Sequence, residues 1–509
     1  MHSKRRAGVL LGYANIVVKN AVNLLYTPLL LAFVGQGDYG VFQSANSFVF
    51  SLTLLSFGLS GTYVRFYMQR KTRDDDEGIR MLNGMYLLLY AAISVTAAIV
   101  GLVFSTQTQT LFGATFKPHE VLLASHVMAI MALNVAVTLF STVFDAYVAA
   151  NEEFTFQQTR QMATTLMTPG AALVLLNLGM GIVGVACAQL MVSALLLVLN
   201  VRYALGRLNM RFSFAQLDSG LLVALVSFSA WLFANQVCDL INQNVPNVIL
   251  GATCGATAVA VFAVAVQVRN VFVSLSTTLS NVFVPMVNRI VSQTNDNTEL
   301  TRLMTRVGRL QMMLLCWVYG GFVVVGSFFV RRWAGEGFAD AYPLVLVMVL
   351  PLCVPLSQNI GIEIQRAKNL HKARSIVYLA MAVLSVVSTW LLSRRFGYWA
   401  AALSYVASIV LGNGVFMNWY YHERIGLDML HFWRSVAPVP ACMAIAAVVC
   451  FVGTKVAPVT RWTRFLAWGG AYSILYGLLL WVAALSEIDR ASVVSHTLAL
   501  LNRVRGEAC

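Results

Sequence analysis

Charge is what this sequence has least of. Its 35 Lys and Arg and 21 Asp and Glu make up 11% of 509 residues, less than half of the roughly 25% carried by soluble domains. With 59% of residues hydrophobic and a mean hydropathy of +0.73, the chain has too little ionic surface for a water-soluble enzyme of this size. Catalytic signatures are missing as well: there is no Walker A motif, no GxSxG and no HExxH, and no metal-ligand spacing. No cofactor is expected. The eight cysteines show no CxxC pair and mostly sit inside apolar runs, which excludes a zinc site or disulfide framework and leaves them as small hydrophobes.

What is present is a series of apolar runs, each long enough to cross a bilayer at about 20 residues per helix. Fourteen spans are read, near 9 to 34, 40 to 67, 81 to 104, 120 to 148, 160 to 178, 180 to 203, 220 to 250, 256 to 288, 306 to 330, 343 to 366, 374 to 392, 397 to 420, 434 to 453 and 464 to 485. This is an all-α polytopic membrane protein. The basic start, Met1 to Gly8, runs into an apolar stretch without a small-residue cleavage pattern and reads as a retained signal anchor. A net charge of +14 and a pI near 9.6 would suggest nucleic acid in a soluble protein. Here 25 basic residues fall on the side of the N-terminus, 8 on the other and 2 inside spans. That asymmetry expresses the retention of cations in cytoplasmic loops, places both termini in the cytoplasm and removes the case for a nucleic-acid partner.

The chain also repeats. Shifted by 220 residues without gaps, positions 14 to 64 show fourteen identities, among them Asn15/Asn235, Gly35/Gly255, Phe42/Phe262, Ala45/Ala265 and Ser56/Ser276. Six spans separate the copies, so both enter the membrane in the same direction. A parallel repeat of this kind predicts two six-helix lobes related by a pseudo-twofold axis along the membrane normal, with a substrate site between them and alternating access. The divisions follow as 1–211 for the first lobe, 212–422 for the second and 423–509 for two extra C-terminal helices and a tail.

Polar residues inside spans mark the candidate site. Asn15, Lys19, Asn23 and Tyr26 share one face of the first span, and Asn235, Asp239, Asn242 and Gln243 share one face of the seventh. Lipid cannot solvate such stripes, so they are expected to turn inward. Lys19, Asp239 and Arg269 are the deepest charges, each costing about 2.5–3.5 kcal/mol at a helix centre. Lys19 with Asp239 as a structural ion pair is the plainer alternative to a binding role. Buried cations suit an anionic cargo, and a guanidinium matches phosphate. Asp38, Arg65 and Glu363 are candidate gate residues. His126 reads as a packed histidine, and Asp145 as a solvated carboxylate near a span end.

Tyr26-Thr27-Pro28-Leu29-Leu30, followed by Gly35-Gln36-Gly37-Asp38-Tyr39-Gly40-Val41-Phe42-Gln43 and by Leu55-Ser56-Phe57-Gly58-Leu59 with Arg65, resembles the first hairpin of the polysaccharide transporters. These are the oligosaccharide flippases of the multidrug/oligosaccharidyl-lipid/polysaccharide (MOP) exporter superfamily. Ile249-Leu250-Gly251 and Ala258-Val259-Ala260-Val261-Phe262-Ala263-Val264-Ala265 resemble its seventh-to-eighth-span pattern. The resemblance covers about the first 290 residues. It implies two rocking six-helix lobes in a bacterial cytoplasmic membrane. It also implies export of an undecaprenyl-diphosphate-linked oligosaccharide to the outer leaflet for cell-surface polysaccharide synthesis. Lys19 and Arg269 resemble, in placement, the cations of lipid II flippases, although a lysine stands where that pattern has arginine. Implied partners are the polyprenyl-diphosphate glycan, membrane lipids, a glycan polymerase and glycosyltransferases. A cation-coupled multidrug exporter using Asp239 or Asp145, and a non-transporting scaffold, are the competing readings.

Overall fold

The computed structural model describes residues 2–56, 59–214, 219–368, 370 and 372–485, and the side chains of 2–10 and of scattered positions up to 239 lie outside that description. Among the described residues the regular structure is helical. In chain order the helices are α1 (His2–Phe50), α2 (Leu59–Lys71), α3 (Asp76–Thr106), α4 (Thr108–Phe112), α5 (Pro118–Ala150), α6 (Phe154–Asn177), α7 (Gly181–Arg202), α8 (Ser219–Cys254), α9 (Ala256–Asn281) and α10 (Val284–Gln293). They continue as α11 (Asn297–Trp333), α12 (Ala341–Ser357), α13 (Asn359–Ala367), α14 (Lys372–Phe396), α15 (Tyr398–Ser408), α16 (Met417–Tyr420), α17 (Met429–Val436), α18 (Pro438–Val456) and α19 (Trp462–Leu479).

Among the described residues eleven stretches are long and apolar enough to cross a membrane. One of them, Val18–Lys71, has 54 residues, far more than the roughly 30 Å hydrocarbon core requires. It divides at Gly35, whose φ of 73° and ψ of 176° interrupt α1. Adding α6 and α8, of 24 and 36 residues, brings the spans to the fourteen read from the sequence. The expected break over 35–39 shrinks to this single residue. A positive φ is open to glycine at little cost, so one residue suffices to turn the chain. Gly255, the repeat equivalent of Gly35, also has a positive φ, 90°, between α8 and α9.

The chain forms two compact units. The first is drawn from Met1–Val264 and Ser375–Tyr405, the second from Ala265–Arg374 and Val406–Cys509. In the first unit α5 packs against α3, α7 and α1, while α6 lies against α1 and α7. At Gly40 a Cβ would stand 1.8 Å from the carbonyl oxygen of Ala256, so only glycine admits this crossing of α1 and α9. Nearby, Asn247 of α8 donates to Ser47 Oγ at 3.0 Å and Thr115 donates to the Gly251 carbonyl at 2.6 Å. These pairings satisfy polar groups where water is excluded.

A tyrosine cluster closes one end of the same unit. Tyr63 stacks on Tyr67 at 5.9 Å and tilts against Tyr86 at 4.7 Å, and Tyr67 meets Tyr147 edge-on at 5.6 Å. Such pairs contribute roughly 0.5–1.5 kcal/mol each beyond burial. Tyr63 donates to Asn83 Oδ1 at 2.6 Å, and Asn83 Nδ2 donates to the Arg211 carbonyl at 2.9 Å. The Ser213 N–H reaches the Arg80 carbonyl at 2.9 Å. The segment following α7 is thereby strapped to α3.

In the second unit α11 is the central helix, contacting α12, α17, α18 and α19. Helix α19 is fastened to it by hydroxyl-to-carbonyl bonds, Tyr472 to Cys316 at 2.8 Å and Tyr476 to Met313 at 3.0 Å. Arg309 caps the end of that pair by donating to the Ala484 carbonyl at 2.7 Å. Outward faces are apolar, with Val448, Val452, Leu466 and Ile474 all more than half exposed. That pattern belongs to a lipid-facing surface.

Candidate functional site

A cavity of about 720 Å³ opens inside the first unit, within the size range of ligand pockets. Four helices present polar stripes to it at helical spacing: Lys19, Asn23 and Tyr26 from α1; Thr138, Ser141, Thr142 and Asp145 from α5; Gln157, Gln161, Thr164 and Thr168 from α6; and Gln189, Ser193 and Asn200 from α7. Each helix keeps its apolar side for packing or lipid, so the four polar sides converge on one space.

The electrostatics of this space are asymmetric. Arg160 Nη1 pairs with Asp145 Oδ1 at 2.8 Å and donates to Asn200 Oδ1 at 2.8 Å. Asn200 Nδ2 in turn donates to Ser141 Oγ at 2.9 Å, and Gln157 approaches Asp145 at 3.5 Å. The Arg160 charge is therefore neutralised by Asp145 and held by Asn200. Lys19 is exposed to the cavity and has no ion-pair or hydrogen-bond partner among the described residues. Among the described residues of the lining one positive charge is left over, surrounded by carboxamides and hydroxyls that donate and accept.

The sequence-predicted residues separate into groups. Lys19, Asn23 and Tyr26 line the cavity together. Asn15 is buried and donates to Gln158 Oε1 at 3.4 Å, which places it behind the lining. On α8, Asn242 is half-buried and Gln243 exposed, while the side chains of Asn235 and Asp239 lie outside the described residues. Arg269 belongs to the second unit, is 5% exposed and donates to Asn270 Oδ1 at 3.1 Å. Asp38 is half-buried three residues past the Gly35 break, and Arg65 is exposed. Glu363 pairs within its own helix with Arg366 at 2.7 Å.

Asp145 differs from its expected role as a solvated carboxylate: it is the counter-ion of Arg160 on the cavity wall. Arg160 itself and the Gln/Thr face of α6 escape a search for apolar runs because they make this span the least apolar. The signal that finds them is the recurrence of polar residues at 157, 161, 164 and 168. Among the described residues no group of three His, Cys, Asp or Glu could hold a metal.

This architecture is shared with solved membrane transporters of low sequence identity. The fold matches the lipid II flippase MurJ in its inward closed conformation with a TM-score of 0.73, 12% identity and coverage of 93% of this chain and 97% of that one. It matches the inward-facing conformation of a multidrug resistance MATE family transporter of the MOP superfamily with a TM-score of 0.67, 14% identity and coverage of 81% and 94%. Over 477 residues, 92% of this chain and 93% of the relative, the sequence is 21% identical to the uncharacterized membrane protein EpsK of Bacillus subtilis (strain 168). Residues 30–343 match the polysaccharide biosynthesis protein family, and the chain belongs to that family.

Proposed function

We propose that this transporter flips an undecaprenyl-diphosphate-linked oligosaccharide from the cytoplasmic to the outer leaflet of a bacterial inner membrane, for cell-surface polysaccharide synthesis. The observation that carries the reading is the Lys19 ammonium, without a partner among the described residues, in a cavity otherwise lined by the Asp145–Arg160 ion pair and by carboxamides and hydroxyls. An anionic diphosphate takes the charge, and sugar hydroxyls exchange hydrogen bonds with Asn23, Tyr26 and the α6 face. A cationic drug would meet a net positive wall, which disfavours the multidrug reading.

In this reading 1–211 and 212–422 are the two lobes that alternate access, and 423–509 holds the extra helix pair. Arg269 is the second diphosphate contact, with Asn235, Asp239, Asn242 and Gln243 serving the glycan, Asn15 supporting the lining through Gln158, and Asp38, Arg65 and Glu363 the gates. Both termini are cytoplasmic, and a glycan polymerase and glycosyltransferases are the partners that make and use the cargo. With the interior negative, each net negative charge moved outward gains about 2.3 kcal/mol per 100 mV.

The test is the leaflet distribution of lipid-linked glycan in cells carrying Lys19→Ala alone or with Arg269→Ala. Loss of one charge-assisted contact of about 1.5–3 kcal/mol predicts a tenfold or greater fall in export and accumulation on the cytoplasmic leaflet. Unchanged export in the double variant, at equal protein level, refutes the assignment.

A further inference from the structure

A second, smaller cavity of about 360 Å³ lies on the first unit at the end of α7, lined by Phe156, Leu199, Arg202, Tyr203, Gly206 and Arg207. Here the α-helix gives way to a π-helical turn over Tyr203–Arg207, closed by the Leu208 N–H on the Tyr203 carbonyl at 3.2 Å. The wider turn brings two cations five residues apart to one groove. Tyr203 stacks face to face on Phe156 with ring centroids 3.7 Å apart, and the Arg207 guanidinium sits over the Tyr203 ring at 5.6 Å. The Glu153 carboxylate lies near the Tyr203 phenol, at the edge of a groove that holds two guanidiniums.

An apolar stripe leads into this groove. Met191, Leu195, Val198 and Leu199 are all exposed, by 60%, 42%, 60% and 42%, and follow one another at helical spacing along α7 toward Arg202. By count of spans, this end of α7 is on the side of the N-terminus. A ligand that fits must therefore be amphiphilic, with one long apolar part lying along the helix and a compact anionic group at its end. The groove offers one phenol and no carboxamide, unlike the 720 Å³ cavity, so it has little to recognise a glycan. Basic pockets beside membrane helices at this depth suit phosphate head groups.

We infer that Arg202 and Arg207 form a binding site for an anionic glycerophospholipid, separate from the cargo cavity. The phosphodiester is held by the two guanidiniums over the Phe156–Tyr203 stack, and one acyl chain follows the Met191–Leu199 stripe. The site stands whether or not the 720 Å³ cavity carries a diphosphate.

Native mass spectrometry of the purified full-length protein tests this with dioleoyl phosphatidylglycerol, dioleoyl phosphatidylcholine, undecaprenyl diphosphate and inorganic phosphate as separate probes. Phosphatidylglycerol is expected to be retained at least tenfold more strongly than phosphatidylcholine. Arg202→Gln with Arg207→Gln should abolish that preference, while Arg202→Lys with Arg207→Lys preserves part of it. Photo-crosslinking of a photoactivatable phosphatidylglycerol to the wild-type protein, read by peptide mapping, should label the stretch 191–207 and requires no variant to fold. Equal retention of the two phospholipids, an undiminished preference in the double Gln variant, or labelling confined elsewhere overturns the proposal. Displacement by inorganic phosphate alone would assign the site to free anion, and displacement by undecaprenyl diphosphate at lower concentration than phosphatidylglycerol would assign it to the cargo; either result also overturns it.

Discussion

Asp145 and Arg160 stand 2.8 Å apart on neighbouring helices, with side chains 36% and 18% exposed, and their pairing sets the charge of the cavity they line. Neutralising the guanidinium leaves Lys19 as the cation of the space without a counter-ion among the described residues. In the proposed function a single fixed charge favours release of the cargo, since excess attraction slows departure.

The pair predicts a double-mutant cycle. Arg160→Gln strands a half-buried carboxylate and should cost about 1–3 kcal/mol of stability, less than the roughly 3–5 kcal/mol for a fully buried pair because water still reaches Asp145. Asp145→Asn combined with Arg160→Gln should recover more than half of that loss. Thermal unfolding in detergent measures it, and additive single effects would show that the two side chains do not couple.

The strap between α3 and the segment after α7 predicts a local change without global unfolding. Asn83→Ala removes the acceptor for Tyr63 and the donor to the Arg211 carbonyl. Hydrogen exchange at residues 208–213 should speed up by about tenfold or more, while peptides from α11 keep their rates. An unaltered Ser213 amide would mean that its own bond to Arg80 suffices.

Gly40 predicts a steric effect of one methyl group. With a Cβ projected 1.8 Å from the Ala256 carbonyl oxygen, Gly40→Ala must push α1 away from α9, and a loss above about 2 kcal/mol is expected. The yield of monodisperse protein and its unfolding midpoint report this. Gly170→Ala, where no atom lies within 4 Å of the new Cβ, serves as the comparison and should be near neutral or stabilising.

Two helix caps outside the spans predict a pH dependence. The Thr298 backbone N–H, 2.8 Å away, holds the Asp296 carboxyl below the usual carboxylate range, and the His431 backbone N–H does the same for Asp428 at 2.9 Å. A lowered folded-state pKa means that the stabilisation is complete above the unfolded value, near 3.9, and is lost as pH falls through the lower folded one. Replacing both by Ala should flatten the fall in unfolding midpoint between pH 5 and 3. Wild-type slope in that variant would assign the acid sensitivity to other carboxylates.

Much of this molecule was legible before any coordinates. Apolar length marks most of the spans, because a bilayer leaves the backbone few alternatives. Periodicity puts Lys19, Asn23 and Tyr26 on one face, and they do share one cavity. What periodicity lacks is the identity of the neighbour across that cavity. Arg160 looks like the edge of a span until α5 supplies Asp145 and α7 supplies Asn200. Asn15 has the spacing of the lining but is turned behind it by Gln158, a contact from 143 residues away. Arg269 and Glu363 show the same gap, since their partners Asn270 and Arg366 are local choices among several that the sequence permits.

Helix α6 has 24 residues, and its first half carries Gln157, Gln158, Arg160 and Gln161 among Thr155, Thr159, Thr164 and Thr165. Such a segment partitions poorly into lipid by itself during synthesis, so its entry depends on α5 or α7 waiting beside it to shelter the Gln and Thr side chains. Under the proposed function, biogenesis and cargo recognition draw on the same residues in opposite directions. Substitutions that ease the insertion of this helix would strip the cavity of its hydrogen-bonding wall, which limits how far evolution or an engineer can improve the one without losing the other.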